Sequence, residues 1–193
     1  MDGIDASMEF RAADAFVMSC GTVTLDLALG KVLIVWNKKY EIFQLPKGRR
    51  NIDESMLDAA IRETYEETGH KVTPLCLNIA TLATLPRDDK SKEYVSPKNK
   101  DVTDGYLSTD YLGGCVYPDP QAETDTLKAV LFFAAKGDST ATPVSGTQEA
   151  WEDLHARWMT IEDAASKLRF KGEVDAVRKA VENVRRSGVA FSG

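Results

Sequence analysis

Short apolar runs alternate with polar turns along the first third of the chain. Phe16 to Leu27 mixes apolar, β-branched and small residues and predicts a strand, with a turn at Leu29-Gly30. Lys31 to Trp36 reads KVLIVW, the short continuous apolar run of a buried strand. Lys38-Lys39 mark a polar turn, and Ile42 to Leu45 predicts a short strand ending at Pro46. Gly48 to Asp53 reads as loop, with Asp53 as the helix N-cap and Glu54 in the first turn. The helix then runs from about Glu54 to Thr68, and Gly69 stops it.

Val72 to Leu85 is apolar and strand-prone, whereas Pro86 to Tyr111 is polar and rich in turn residues. A stretch that long predicts a functional or mobile loop over 86–111. Leu127 to Ala135 reads as a central strand, Lys136 to Gln148 as a second polar loop, and His155 to Met159 as a last short strand. Thr160 caps a helix through Leu168, with Glu162-Asp163 in its first turn. In a final helix over about Gly172 to Ser187, Val174, Val177, Val181 and Val184 repeat at i, i+3, i+7 and i+10. Strands, helix, strands, helices in that order imply a mixed α/β sandwich, with helices flanking a curved mixed sheet. A length of 193 residues suits one domain over 1–193, with its ordered core over about 12–188.

Composition narrows the function classes. Twenty-four Lys+Arg against 30 Asp+Glu leave a net charge of −6, which argues against a non-specific nucleic-acid or membrane binder. No apolar run approaches the roughly 20 residues that span a bilayer. Cys20, Cys76 and Cys115 are odd in number and far apart, so neither a disulfide framework nor a zinc site is expected. With His70 and His155 the only histidines, any metal chemistry must rest on carboxylates.

Carboxylates converge on the first helix. Glu63, Glu66 and Glu67 are related by i, i+3 and i+4 and share one arc, with the small Ala59 among them. Leu57, Ala60, Ile61 and Thr64 form the neighbouring arc, which faces the core. Like charges so placed cost about 0.2–0.5 kcal/mol per pair, and a bound cation would reverse that cost. Oxygen ligands without His or Cys favour Mg²⁺ or Mn²⁺ over zinc. Arg62 can pair with Glu54 and hold the loop against the helix, and Gly48 allows a turn that other residues would strain.

Gly48, Glu54, Arg62, Glu63, Glu66, Glu67 and Gly69 fit G-x5-E-x7-R-E-U-x-E-E-x-G-U, the Nudix box. From average residue usage the seven positions would coincide about once in 10⁸ starts. The chain thus resembles the Nudix hydrolases, which implies a Nudix-type α/β/α sandwich and hydrolysis of a diphosphate linkage. Arg169-Phe170 before the last helix also looks like that family. Thr64 and His70 stand where the family has aliphatic residues; Thr64 is expected to pack through its methyl group, and His70 to mark a more open edge. The resemblance implies that Glu63 and Glu67 hold Mg²⁺ (or Mn²⁺) and that Glu66 is the favoured general base. It also implies a further acid from a later loop, for which Glu149 and Glu152 are candidates, each equally readable as a solvated acid.

Basic residues collect before the helix although the chain is acidic. Lys38, Lys39, Lys47, Arg49 and Arg50 face only Glu41 between positions 38 and 50, and Arg87, Lys90, Lys92, Lys98 and Lys100 extend the set. Cations beside a metal site suit a substrate with many phosphates. The LPKGRR run resembles the subgroup acting on diphosphoinositol polyphosphates (inositol pyrophosphates) and diadenosine polyphosphates, with filamentous-fungal members, including secreted effectors of plant pathogens, looking closest. That resemblance places Lys38, Lys39, Lys47, Gly48, Arg49 and Arg50 on the substrate. Alternatives are an ADP-ribose or nucleotide-sugar pyrophosphatase, with Pro86 as the clue, then mRNA decapping, then an inactive Nudix binding module. The expected partner is a small polyphosphate, with no stable nucleic-acid or membrane partner and a monomeric chain. The expected location is cytoplasmic; the alternative is a secreted protein whose leader is absent from this chain.

Overall fold

A computed structural model describes residues 9–84, 106–119, 122 and 125–192. After a 3-10 turn at Ala13–Ala15 come strands β1 (Phe16–Asp26), β2 (Lys31–Asn37), β3 (Ile42–Gln44) and β4 (Lys47–Arg49). Helix α1 (Met56–Thr68) is followed by the two-residue strands β5 (Thr73–Pro74) and β6 (Leu77–Asn78). The second half contains β7 (Leu107–Ser108), β8 (Tyr111–Pro118), β9 (Leu127–Lys136), β10 (Leu154–Thr160), α2 (Ile161–Lys167) and α3 (Lys171–Arg186).

Among the described residues, eight strands form one mixed sheet with the path β10-β2-β1-β9-β5, while β3, β4 and β8 pair with β2, β1 and β9 respectively. The centre is the parallel pair β1–β9, in register from Phe16↔Leu127 to Leu25↔Lys136. Both strands are flanked by antiparallel neighbours, so both of their edges are hydrogen-bonded. Alternation sorts their side chains by face. Cys20 and Phe133 pack against Ala59 and Ala60 of α1. Val23, Leu25, Val130, Phe132 and Ala134 join Ala164 and Leu168 at α2 and Val174, Val177, Ala180 and Val184 of α3. This is the expected sandwich, with α1 on one face and α3 on the other.

Three local expectations change. Lys47–Arg49 is a strand paired to Ser19–Gly21, where a loop was expected from Gly48. The described part of the stretch, 72–84, holds two two-residue strands rather than a long one: Val72, Leu75, Leu77 and Ile79 are buried and Leu82 is exposed. Thr73–Pro74 pairs with Ala135–Lys136 of β9, and Leu75 N donates to Ala134 O at 3.0 Å. Most of the expected loop over 86–111 lies outside the described residues, as do Pro86, Arg87, Lys90, Lys92, Lys98 and Lys100. At its end Leu107–Ser108 pairs with Leu77–Asn78, and Tyr111 opens β8. Among the described residues, no helix is long and apolar enough to cross a membrane.

Candidate active site

Helix α1 is capped by Ser55, whose hydroxyl accepts from Asp58 N, and not by Asp53. Asp53 has φ 60° and belongs to the turn before the helix. Glu54 therefore stays outside the helix, and its carboxylate bends back to accept from Asn51 N at 2.9 Å. At the other end Gly69 adopts φ 70° and closes the helix by donating to Tyr65 O at 2.8 Å. A Cβ there would collide with the Val144 carbonyl.

Arg62 organises the acids. Its Nε donates to Glu54 Oε1 at 2.8 Å and its Nη2 to Glu54 Oε2 at 2.9 Å and Arg49 O at 3.0 Å. Its Nη1 donates to Glu63 Oε1 and Glu66 Oε2, both at 2.7 Å. These bonds raise the guanidinium pKa further and hold Glu54 below the usual carboxylate range. One side chain thus ties the box loop to two of the three convergent carboxylates.

The third, Glu67, turns to strand β4. It is 5% exposed and accepts from Lys47 N at 2.9 Å. Burial pushes its pKa up to about 8, against the opposing charge of Lys47. Burial raises Glu63 as well, with Arg62 opposing. Gly48 lies so close to Glu63 that a Cβ would strike its carboxylate. Glu66 has 41% of its side chain exposed, against 14% for Glu63.

Ala59, expected among the carboxylates, is fully buried against Cys20 and Phe133, because the buried face of α1 runs over Ala59, Ala60, Thr64, Glu67 and Thr68. Thr64 is buried, but its hydroxyl is used: it donates to Ala60 O at 2.8 Å and lies 2.8 Å from Thr22 Oγ1. His70 marks no open edge. It is 6% exposed, and Trp158 Nε1 donates to its Nε2 at 3.3 Å.

The basic residues separate into two groups. Lys38 pairs with Asp153 at 3.3 Å, and Lys39 lies 5.2 Å over the Tyr40 ring. Lys47 reaches Glu173 at 3.4 Å and Leu45 O at 3.3 Å, Arg49 reaches Asp119 at 3.6 Å, and Arg50 donates to Glu54 O at 2.8 Å. Lys47 and Arg49 share their surroundings with Lys128, whose pKa is lowered by burial and then by Lys47. Lys128 was missed in the sequence, although a lysine inside the apolar run of β9 was a signal. Glu173, Tyr117 and Asp119 were missed too, for lack of any local motif.

The loop over 137–153 docks on the C-terminal end of α1. Val144 N donates to Gly69 O at 2.9 Å, Thr147 Oγ1 to Glu66 O at 2.8 Å, and Gln148 Nε2 to Glu67 O at 3.1 Å. This loop carries both candidate acids. Glu152 accepts from Glu149 N at 3.2 Å, and its charge pushes up the pKa values of Glu63 and Glu67. Glu149 is exposed.

These residues fit a hard divalent cation. Two desolvated carboxylates, Glu63 and Glu67, repel each other and Glu152, and a cation would stabilise their ionised forms. Among the described residues, no three acidic, His or Cys side chains stand in a metal-holding group, since Arg62 engages Glu63 and Glu66.

The NUDIX domain model matches residues 19–180. This chain belongs to the NUDIX family. Enzymes of that family generally use divalent metal ions, and the domain together with the solved hydrolases that share its fold supports a NUDIX pyrophosphohydrolase. No curated protein sequence matches it. Solved structures show the same fold at low identity. A NUDIX hydrolase from Nitrosomonas europaea is 16% identical with TM-score 0.54, over 86% of this chain and 88% of that one. An Ap4A hydrolase from C. elegans is 20% identical with TM-score 0.53, over 88% and 98%. The dihydroneopterin triphosphate pyrophosphohydrolase of E. coli is 13% identical with TM-score 0.53, over 86% and 95%.

Proposed function

We propose that this NUDIX chain hydrolyses, with Mg²⁺ or Mn²⁺, a diphosphate linkage in a phosphate-rich small molecule, a diphosphoinositol polyphosphate or a diadenosine polyphosphate. The reading rests on one arrangement: Glu67 of α1, held by the Lys47 backbone N–H, feels the charge of Lys47, and Lys128 feels those of Lys47, Arg49 and Glu67. Acids alone would repel a polyphosphate. The adjoining cations attract it and steer its approach.

Glu63 and Glu67 would hold the cation, which when bound supplies charge neutralisation on the phosphate oxygens. Glu66, the acid most open to water, takes the proton of the attacking water and is the general base. Arg62 holds Glu66 at 2.7 Å and fixes its direction, and Glu54 in turn fixes Arg62. Lys47, Arg49 and Lys128 orient the remaining phosphates, so that positioning and electrostatics carry the reaction. Arg50 braces the loop through Glu54 O. Lys38 and Lys39 extend the cationic surface at the next turn.

The test is a parallel hydrolysis assay with Mg²⁺ or Mn²⁺ on a diphosphoinositol polyphosphate, diadenosine pentaphosphate, ADP-ribose and a capped RNA, with Glu66→Gln as control. Cleavage of one of the first two, lost in the variant, is expected. Failure to cleave any of the four overturns the proposal, and preference for ADP-ribose would reassign the substrate.

A further inference from the structure

The β3–β4 segment is fastened to the chain around the start of α3 at alternate residues. Phe43 O accepts from Arg169 N at 3.0 Å, Leu45 N donates to Glu173 Oε2 at 3.1 Å, and Lys47 Nζ lies 3.4 Å from Glu173 Oε1. The same segment then seats the box acids. Lys47 N donates to Glu67 Oε2 at 2.9 Å, and Gly48 lies against the Glu63 carboxylate. Glu173 is 3% exposed, and burial pushes its carboxyl up, with Lys47 and the Leu45 N–H opposing. Its mount is firm. At Gly172 a Cβ would strike Cys115 Sγ, so the first turn of α3 lies directly on β8.

We infer that Glu173 is a positioning residue for the metal site: from α3, on the face of the sheet opposite α1, it fixes Leu45 and Lys47 and thereby sets where Glu67 stands. The inference rests on the hydrolase reading above, in which Glu67 holds the cation. Two effects follow from removing Glu173, and both fall on this segment. Leu45 N loses a buried acceptor, and the Lys47 ammonium loses a buried counter-charge. The first loosens the backbone that holds Glu67. The second leaves Lys47 to the charge of Glu67, in competition with the cation for the same carboxylate. Groups that orient a metal ligand without touching the metal are worth about 10–100-fold in affinity.

The test measures Mn²⁺ binding to the full chain without substrate, by EPR of the free ion, in wild type, Glu173→Ala, Glu173→Gln and Val184→Ala. Val184 is fully buried on the same helix, about 16 Å further along it, and reports destabilisation alone. The Mn²⁺ Kd should rise about tenfold in Glu173→Ala and stay at the wild-type value in Val184→Ala. It should rise less in Glu173→Gln, which still offers Leu45 N an acceptor. A Glu173→Ala Kd at the wild-type value, or an equal rise in Val184→Ala, overturns the inference. If Glu173→Ala does not fold, Glu173→Gln decides, a raised Kd supporting the inference and an unchanged one overturning it. Wild-type protein that binds no Mn²⁺ overturns the metal-dependent reading and the inference with it, whereas a wild type that binds and Glu173 variants that bind equally well overturn the inference alone.

Discussion

Gln148 donates its side-chain amide to the Glu67 carbonyl at 3.1 Å and to the Leu154 carbonyl at 2.6 Å, while its Oε1 accepts from Leu154 N at 3.2 Å. One amide thus clips the loop bearing Glu152 to the end of the catalytic helix. Gln148→Ala should cost about 2 kcal/mol in chemical denaturation, since part-buried hydrogen bonds contribute roughly 0.5–1.5 kcal/mol each. It should also lower kcat several-fold. Gln148→Glu keeps the acceptor for Leu154 N but cannot donate to Glu67, so wild-type kcat in that variant would refute a role for the clip.

Arg62 is a sharper case. Lysine preserves its charge but cannot reach Glu54, Glu63, Glu66 and Arg49 O from one planar group. Arg62→Lys should lower kcat at least tenfold and stability by about 2 kcal/mol, the scale of a charge-assisted hydrogen bond. Metal-dependent activity and urea unfolding measure the two effects, and unchanged kcat would remove Arg62 from the catalytic frame.

Gly48→Ala should separate activity from stability. The new methyl strikes the movable end of Glu63 rather than fixed backbone, so the fold gives way cheaply. A displacement of about 1 Å at a catalytic group costs on the order of 10²-fold in rate. The expected result is a Tm within a few degrees of wild type with kcat reduced by that order. A fully active variant would show that Glu63 tolerates displacement.

His70 sets a pH limit on the fold. Its Nε2 accepts from Trp158, so the ring is neutral there, and burial holds its pKa below the usual 6.5, with Asp138 opposing. The unfolded state therefore takes up the proton first as pH falls. The His70 contribution is fully present above pH 6.5 and is lost as pH falls through the folded-state value. An NMR titration of the imidazole should give a midpoint below 6.5. His70→Gln keeps an acceptor without titrating and should flatten acid unfolding in that range. A midpoint above 6.5 would reverse the sign.

What could be read from the sequence was local. The box helix, the β1, β2 and β9 strands, the Thr160 cap and the valine stripe of α3 each lie within one short segment, where periodicity and capping chemistry act. Thr160 accepts from Asp163 N as expected, and Val177 and Val184 are fully buried. Apart from the Ser55 cap, the missed features depend on distant partners. Ser55 takes the cap from Asp53 because the turn drives Asp53 to positive φ. His70 is buried by Trp158, 88 residues away. Lys128 acquires its meaning from Lys47 and Arg49 across the sheet, and Glu173 from Leu45 and Lys47. None of these pairings has a sequence spacing that a motif can express.

The central β1–β9 pair also sets the order in which the chain can become an enzyme. Among the described residues, strand β4, which presents Lys47 and Gly48, pairs with β1, and β1 gains its parallel neighbour at Leu127–Lys136. During synthesis the whole 23-residue box is therefore complete long before the sheet that aims it. Contacts so distant in sequence form late and slowly. A nascent chain stopped before Leu127 holds every glutamate of the box and has no β9 to seat them against.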